Sequence, residues 1–209
     1  MDYLNEEKYD KVYKLLLLGD SNVGKTSILL RYTDNYFNLD GLSTLGVDLR
    51  NKFVLYQDKK IRLDLWDTAG QERFKGLTKN YIKGGHGFVL VFSLIDRNSF
   101  EHLKIWINDV KNLLDGEYRM VIIGNKKDCE GKIEIDKKEL KEFSEENKIQ
   151  IFETSAKTGE GIEEAFNYLI QNLYKCPDIG NRNNDEDVNM SYTLDKNTLS
   201  KKNKQNCGC

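Results

Sequence analysis

Between about residue 11 and residue 175 the apolar positions keep two alternating rhythms. Short runs of consecutive or alternate apolar residues read as strands, and recurrences at three and four residues read as helices. Residues 12–18 read as a buried strand and 27–32 as the helix that follows it. Residues 49–56 and 61–66 form an antiparallel hairpin around 57–60. In its second strand Ile61, Leu63 and Leu65 share one face, while Arg62, Asp64 and Trp66 share the other. Residues 87–92 and 120–124 are short, continuous apolar runs, the pattern of central parallel strands covered on both sides. Helices are predicted near 99–114 and 136–147, then a strand at 149–153. In the last helix Ile162, Ala165, Phe166, Leu169, Ile170 and Leu173 recur at helical spacing and make one core face. Strands alternating with helices imply right-handed crossovers and three α/β layers. The sheet has six mostly parallel strands, one of them an antiparallel hairpin strand, with about five helices flanking it.

Beyond Cys176 and Pro177 the rhythm stops. Residues 178–206 are rich in Asn, Asp and Lys and hold few large apolar side chains, so they cannot bury enough surface to fold. The expected division is a flexible N-terminus at 1–10, one folded domain at 11–176 and a disordered tail at 177–209. A chain of 209 residues suits that arrangement. With 39% hydrophobic and 32% charged residues, the domain should be soluble with a well-solvated surface. A net charge of −2 lacks the basic footprint of a nucleic-acid binder. The start, MDYLNEEKYDK, is polar and acidic, without the layout of a secretory signal and without a glycine after Met1 for myristoylation. No apolar run reaches the length that crosses a bilayer. Two histidines leave little material for a His-centred nucleophile or metal site. Cys129 and Cys176 are expected to be free cytosolic thiols.

Candidate chemistry sits in the loops. Gly19-Asp-Ser21-Asn22-Val23-Gly24-Lys25-Thr26 fits G-x-x-x-x-G-K-[ST], between a strand and a helix that opens through Ser27. The glycines permit a tight loop whose backbone N–H groups point at phosphates beside a helix N-terminus. Lys25 then supplies a charge at the β- and γ-phosphates, and the Thr26 hydroxyl a ligand for Mg²⁺. Asp67-Thr-Ala-Gly70-Gln71 leaves the second hairpin strand. Its acid suits the Mg²⁺ shell through water, the Gly70 N–H a γ-phosphate, and Gln71 an attacking water. On its own, an acidic strand end is a surface feature.

Asn125-Lys126-Lys127-Asp128 follows the apolar run 120–124. A carboxylate at Asp128 can accept from both N1–H and the 2-amino group of guanine, a donor pair that adenine lacks. Lys126 would lie against the base. Ser155-Ala156-Lys157 follows the next strand, and the Ala156 N–H can reach guanine O6. Each motif alone is weak. Their order is informative, because all four loops leave the C-terminal ends of strands, where open α/β sheets bind ligands.

Taken together, these segments resemble the Ras superfamily of GTPases across residues 11–175, and most of all its Rab branch. The resemblance rests on Gly19–Thr26, Leu45-Gly-Val-Asp-Leu49, Leu63-Asp-Leu-Trp66, Asp67-Thr-Ala-Gly-Gln-Glu-Arg-Phe74 and Tyr81-Ile-Lys-Gly-Gly85. It implies the P-loop GTPase fold, binding of GTP or GDP with Mg²⁺, and slow GTP hydrolysis. It further implies that Thr44 is a second hydroxyl ligand of Mg²⁺ in the GTP state and that Phe37 stacks on guanine. Switch I would span about 37–49 and switch II about 68–82, both released by hydrolysis. Leu49, Trp66 and Tyr81 match an apolar trio that contacts effectors in Rab proteins, although Trp66 could instead pack beneath switch II. Leu49 replaces the usual Phe and Leu45 the usual Ile. The 91–95 segment lacks the customary Asp, and Ile82 and Gly85 depart from Tyr and Ala. None of these positions holds nucleotide.

Cys207-Gly208-Cys209 resembles the double geranylgeranylation signal of many Rabs, and a C-a-a-X box is absent because Asn206 stands where its Cys belongs. Two lipids are needed because one gives only marginal, reversible attachment, and Lys201, Lys202 and Lys204 can assist at an anionic leaflet. The implied partners are effectors, an exchange factor, a GTPase-activating protein, a GDP-dissociation inhibitor and the prenylation machinery. The implied state is a monomer on the cytoplasmic face of an endomembrane, with a cytosolic pool. Two rivals are a small-molecule P-loop kinase, which has no use for Asn125, Asp128 or a lipidated end, and a nucleotide-locked scaffold, which has no use for Gln71.

Overall fold

The computed structural model describes residues 9–38, 47–68, 81–114, 116–176 and 179. The apolar run near the start forms β1 (Lys11–Leu18), followed by α1 (Lys25–Asp34). The hairpin is β2 (Val47–Tyr56) and β3 (Lys59–Thr68). After it come β4 (Gly87–Ser93), α2 (Arg97–Glu101), α3 (Leu103–Leu113) and β5 (Arg119–Asn125). A 3₁₀ turn at Glu130–Lys132 leads to α4 (Lys137–Asn147), β6 (Ile151–Glu153) and α5 (Ile162–Tyr174). The six strands lie in the order β2-β3-β1-β4-β5-β6, with only β2 and β3 antiparallel. This is the mixed α/β sheet that the alternation of patterns implies.

The sheet separates two apolar layers. Leu15 and Leu17 of β1 join Ile61, Leu63 and Leu65 of β3 in a core closed by α1 and α5. Leu16 and Leu18 point the other way, into a core with Phe88, Leu90, Phe92 and the apolar faces of α3 and α4. The alternation along β3 is as the sequence predicts: Ile61, Leu63 and Leu65 are fully buried, while Arg62, Asp64 and Trp66 are half-buried. Among the described residues no helix is long and apolar enough to cross a membrane.

Three boundaries differ from the pattern-based expectation. The hairpin loop narrows to Gln57 and Asp58, both at positive φ (49° and 59°), because Lys59 and Lys60 pair with Tyr56 and Leu55. A two-residue loop of this hand matches the twist of the strands it joins. The strand predicted at 149–153 shortens to three residues. Ile149 instead closes the end of α4, its amide donating to the Ser144 carbonyl (3.2 Å) and its carbonyl accepting from Ser144 Oγ (2.8 Å). The helix predicted over 99–114 begins at Arg97 and divides at His102, whose carbonyl is shared by the amides of Ile105 and Trp106 (2.9 and 3.2 Å).

Arg97 ties the β4–α2 connection to α4 and the loop before it. Its guanidinium donates to both Glu139 oxygens (2.8 and 3.0 Å), and its amide donates to Glu134 Oε2 (2.9 Å). The Arg97 guanidinium, aided by the Asp136 amide, holds the Glu139 carboxyl down from 4.5 to about 2. A carboxyl depressed on folding lends stability that is full above its unfolded value and drains away as pH falls through the folded one. Glu139→Gln is therefore expected to lower the thermal midpoint at pH 7, the gap from the parent closing between pH 4.5 and about 2. Thermal unfolding of both proteins across that range measures it; a gap that persists at the acid end refutes the assignment.

Candidate functional site

β1, β3, β5 and β6 run parallel, so the loops that leave their C-terminal ends share one edge of the sheet. Those four loops carry the four motifs. The first turns at Gly19 (φ 145°), where a Cβ would stand 2.1 Å from the Val91 carbonyl oxygen. It ends at Gly24 (φ 98°), where a Cβ would meet Asn125 Nδ2 at 2.4 Å. Val23 is fully buried beneath the loop, and Ser21 and Asn22 are exposed at its crest. Gly24 caps α1 with no side-chain hydrogen bond, and the first turn has no acidic residue. The dipole of that turn, which includes Lys25, Thr26 and half-buried Ser27, suits an anion.

Lys25 lies against the same loop. Its Nζ donates to the carbonyls of Gly19 (2.9 Å) and Asp20 (2.6 Å), and only 5% of the residue is exposed. Burial pushes its pKa down to about 8, against the pull of Asp67 and Asp20. An ammonium whose charge burial disfavours is the group that a phosphate stabilises. Beside it, Thr26 Oγ1 donates to Oδ2 of the fully buried Asp67 (2.5 Å). This hydroxyl and carboxylate are hard oxygen donors, as Mg²⁺ requires. The pair fits Mg²⁺.

At the other end, Ser155 Oγ donates to Asp128 Oδ1 (2.6 Å) and accepts from the Thr158 amide (3.1 Å). The Asp128 carboxylate is thus oriented while the residue stays exposed. Lys126 turns the chain with a φ of 68°. Asn125 is held by the fold itself. It is 2% exposed, and its Nδ2 donates to the Val23 carbonyl (2.9 Å). Its Oδ1 accepts from the Ala156 amide (3.0 Å) and more weakly from Thr154 Oγ1 (3.4 Å). Through these bonds Asn125 staples the phosphate loop to the 154–157 loop.

One participant has no motif. Arg31 of α1 donates from Nε to the Ala156 carbonyl (2.9 Å) and from Nη2 to the exposed Lys157 carbonyl (2.8 Å), holding that loop from behind. Phe37 is half-buried against the core on the α1 side. Leu49 and Trp66 are cross-strand partners, and the Tyr81 ring lies 5.3 Å from that of Trp66, so the apolar trio comes together. Thr44, Gly70, Gln71, Cys207 and Cys209 lie outside the described residues, with most of both switch segments.

The profile of the Ras family matches residues 14–175. The chain belongs to the Ras family. Relatives place it with the Rab proteins. It is 39% identical over 200 residues to Ras-related protein Rab-13 of Bos taurus, covering 95% of this chain and 97% of that one. It is 42% identical over 168 residues to Rab-1C of Dictyostelium discoideum, covering 80% and 84%. With Rab-10 of Diplobatis ommata it shares 40% identity over 173 residues, covering 82% and 86%. This Ras-family member is a Rab-type small GTPase of membrane traffic that hydrolyses GTP to GDP and phosphate. Ras-family GTPases bind GTP or GDP with Mg²⁺, which is the chemistry that the phosphate end of this edge fits.

Proposed function

We propose that this Rab-type GTPase is a membrane-anchored switch that recruits effectors when GTP is bound and releases them after slow hydrolysis. One observation carries the reading: Lys25 and Thr26 at the start of α1, Asp67 at the end of β3 and the oriented Asp128 after β5 stand at a single edge of the sheet. The amides of 21–27 and Lys25 hold the phosphates. Thr26 and Thr44 would hold Mg²⁺ through their hydroxyls, with Asp67 joining its shell through water, and the ion would supply charge neutralisation at the phosphates. Gln71 orients the attacking water and Gly70 offers its N–H to the γ-phosphate. Asp128, Lys126 and the 155–157 loop take the base, with Phe37 on its face. Without an arginine finger in cis, intrinsic turnover of about 10⁻⁴ per second is expected, and a partner that supplies the finger accelerates it.

Leu49, Trp66 and Tyr81 form the effector contact, which their proximity supports. The 177–209 segment serves as a tether, and geranylgeranyl groups on Cys207 and Cys209 hold a monomer at the cytoplasmic face of an endomembrane. An exchange factor, a GTPase-activating protein, a GDP-dissociation inhibitor and the prenylation machinery complete the cycle.

The direct test is to identify the nucleotide that co-purifies with the full chain and to exchange it in EDTA against guanine and adenine nucleotides. Bound GDP or GTP that only guanine nucleotides displace is expected. An empty protein, or one without base preference, overturns the reading. Single-turnover hydrolysis separates the switch from a locked scaffold: Gln71→Leu is expected to slow it by at least about tenfold, through loss of the water-orienting amide. A rate equal to that of the parent favours the scaffold.

A further inference from the structure

We infer that α3 braces the phosphate loop through Asp20, so that His102 and Trp106 set how fast bound guanine nucleotide leaves; this rests on the nucleotide site proposed above. Asp20 is an acid placed inside a loop built for phosphates. A carboxylate free to face a polyphosphate there repels it. In the structure both carboxylate oxygens are turned onto α3 instead. Asp20 Oδ2 lies 2.6 Å from His102 Nδ1, and Asp20 Oδ1 accepts from Trp106 Nε1 at 2.9 Å.

The two donors come from 82 and 86 residues further along the chain. They also differ in access: Trp106 is 6% exposed, whereas the His102 side chain is 50% exposed. The brace continues through the backbone. The Asp20 carbonyl is one of the two acceptors that hold Lys25 Nζ (2.6 Å), so the peptide fixed by α3 also aims the buried ammonium. Losing the donors therefore has two effects of the same sign. The carboxylate is freed beside the phosphates, and Lys25 loses a firmly placed acceptor.

Lys25 and the loop amides meet the β-phosphate in both nucleotide states. An interaction made equally in the two states changes binding without changing the chemical step. His102 and Trp106 are accordingly positioning residues. Their removal should speed release of GDP and GTP in parallel and leave hydrolysis of bound GTP at the parental rate.

The test uses the full chain with Mg²⁺, loaded with a fluorescent N-methylanthraniloyl GDP and chased with unlabelled GDP. Trp106→Phe, which keeps an aromatic ring but lacks the donor, and His102→Ala should each accelerate release. Together they should give about tenfold, as for one lost hydrogen bond to a charged group. His102→Gln, which retains a donor, should restore release towards the parental rate, while single-turnover hydrolysis stays unchanged in all variants. Parental release rates in His102→Ala, a substitution at a half-exposed position, overturn the brace. So does a double variant with a lower melting temperature but unaltered release, which reports packing alone. A parent that binds no guanine nucleotide is a different result and defeats the underlying site instead.

Discussion

Asp128→Asn is expected to move the base preference from guanine to xanthine nucleotides. The carboxylate accepts twice, matching the adjacent N1–H and 2-amino donors of guanine. An asparagine amide at the same place offers one acceptor and one donor, which matches the N1–H and 2-oxo edge of xanthine. Leaving a polar group of the complex unpaired costs about 1–3 kcal/mol, and charged pairs lie at the upper end. GTP affinity should therefore fall by roughly two orders of magnitude while xanthosine triphosphate gains. The substitution leaves the fold alone, because Asp128 is exposed and the Ser155 hydroxyl that orients it (2.6 Å) can donate to an amide oxygen as well. Displacement of labelled GDP by GDP and by xanthosine diphosphate, beside a melting curve, measures the change. Equal GTP affinity in parent and variant means that another residue reads the base.

That expectation could be written from sequence because the Asp128 side chain faces outward and its chemistry is local. The same holds for the phosphate loop, where Gly19 and Gly24 are demanded by positive φ and close approach, and for the strands, whose apolar runs report burial directly. What pattern reading could not supply is the partner of a buried polar group. Asn125 carries an amide that the motif marks only as part of a loop, yet the fold also sets it between the Val23 carbonyl and the Ala156 amide. Arg31 lies in α1, with no motif to mark it, and its targets are 125 and 126 residues away. Asp20 meets His102 and Trp106 across a similar distance. Periodicity says which face of an element is apolar. It carries no information on which polar atoms converge once the elements pack. β6 failed for the same reason, since Ile149 has the apolar character of a strand residue but finds Ser144 at the end of α4.

The staple formed by Asn125 gives the second large effect. In Asn125→Ala the Val23 carbonyl and the Ala156 amide, on residues 0% and 3% exposed, lose their partner together. Each buried group left unsatisfied costs about 1–3 kcal/mol, so a loss of roughly 2–6 kcal/mol is expected. At about 2–4 °C per kcal/mol for a domain of this size, the melting temperature should fall by on the order of 10 °C. Asn125→Asp keeps the acceptor for Ala156 but sets a carboxylate oxygen against the Val23 carbonyl, and it should be no better. The decisive measurement is made on protein stripped of nucleotide with EDTA. A staple between two loops stabilises the fold before any ligand arrives, so the variants should melt early in the stripped form and bind GDP more weakly as a consequence. A residue that touched only the base would leave the stripped melting temperature at the parental value and show its loss in affinity alone. That result would leave Asn125 no structural share in joining the two loops.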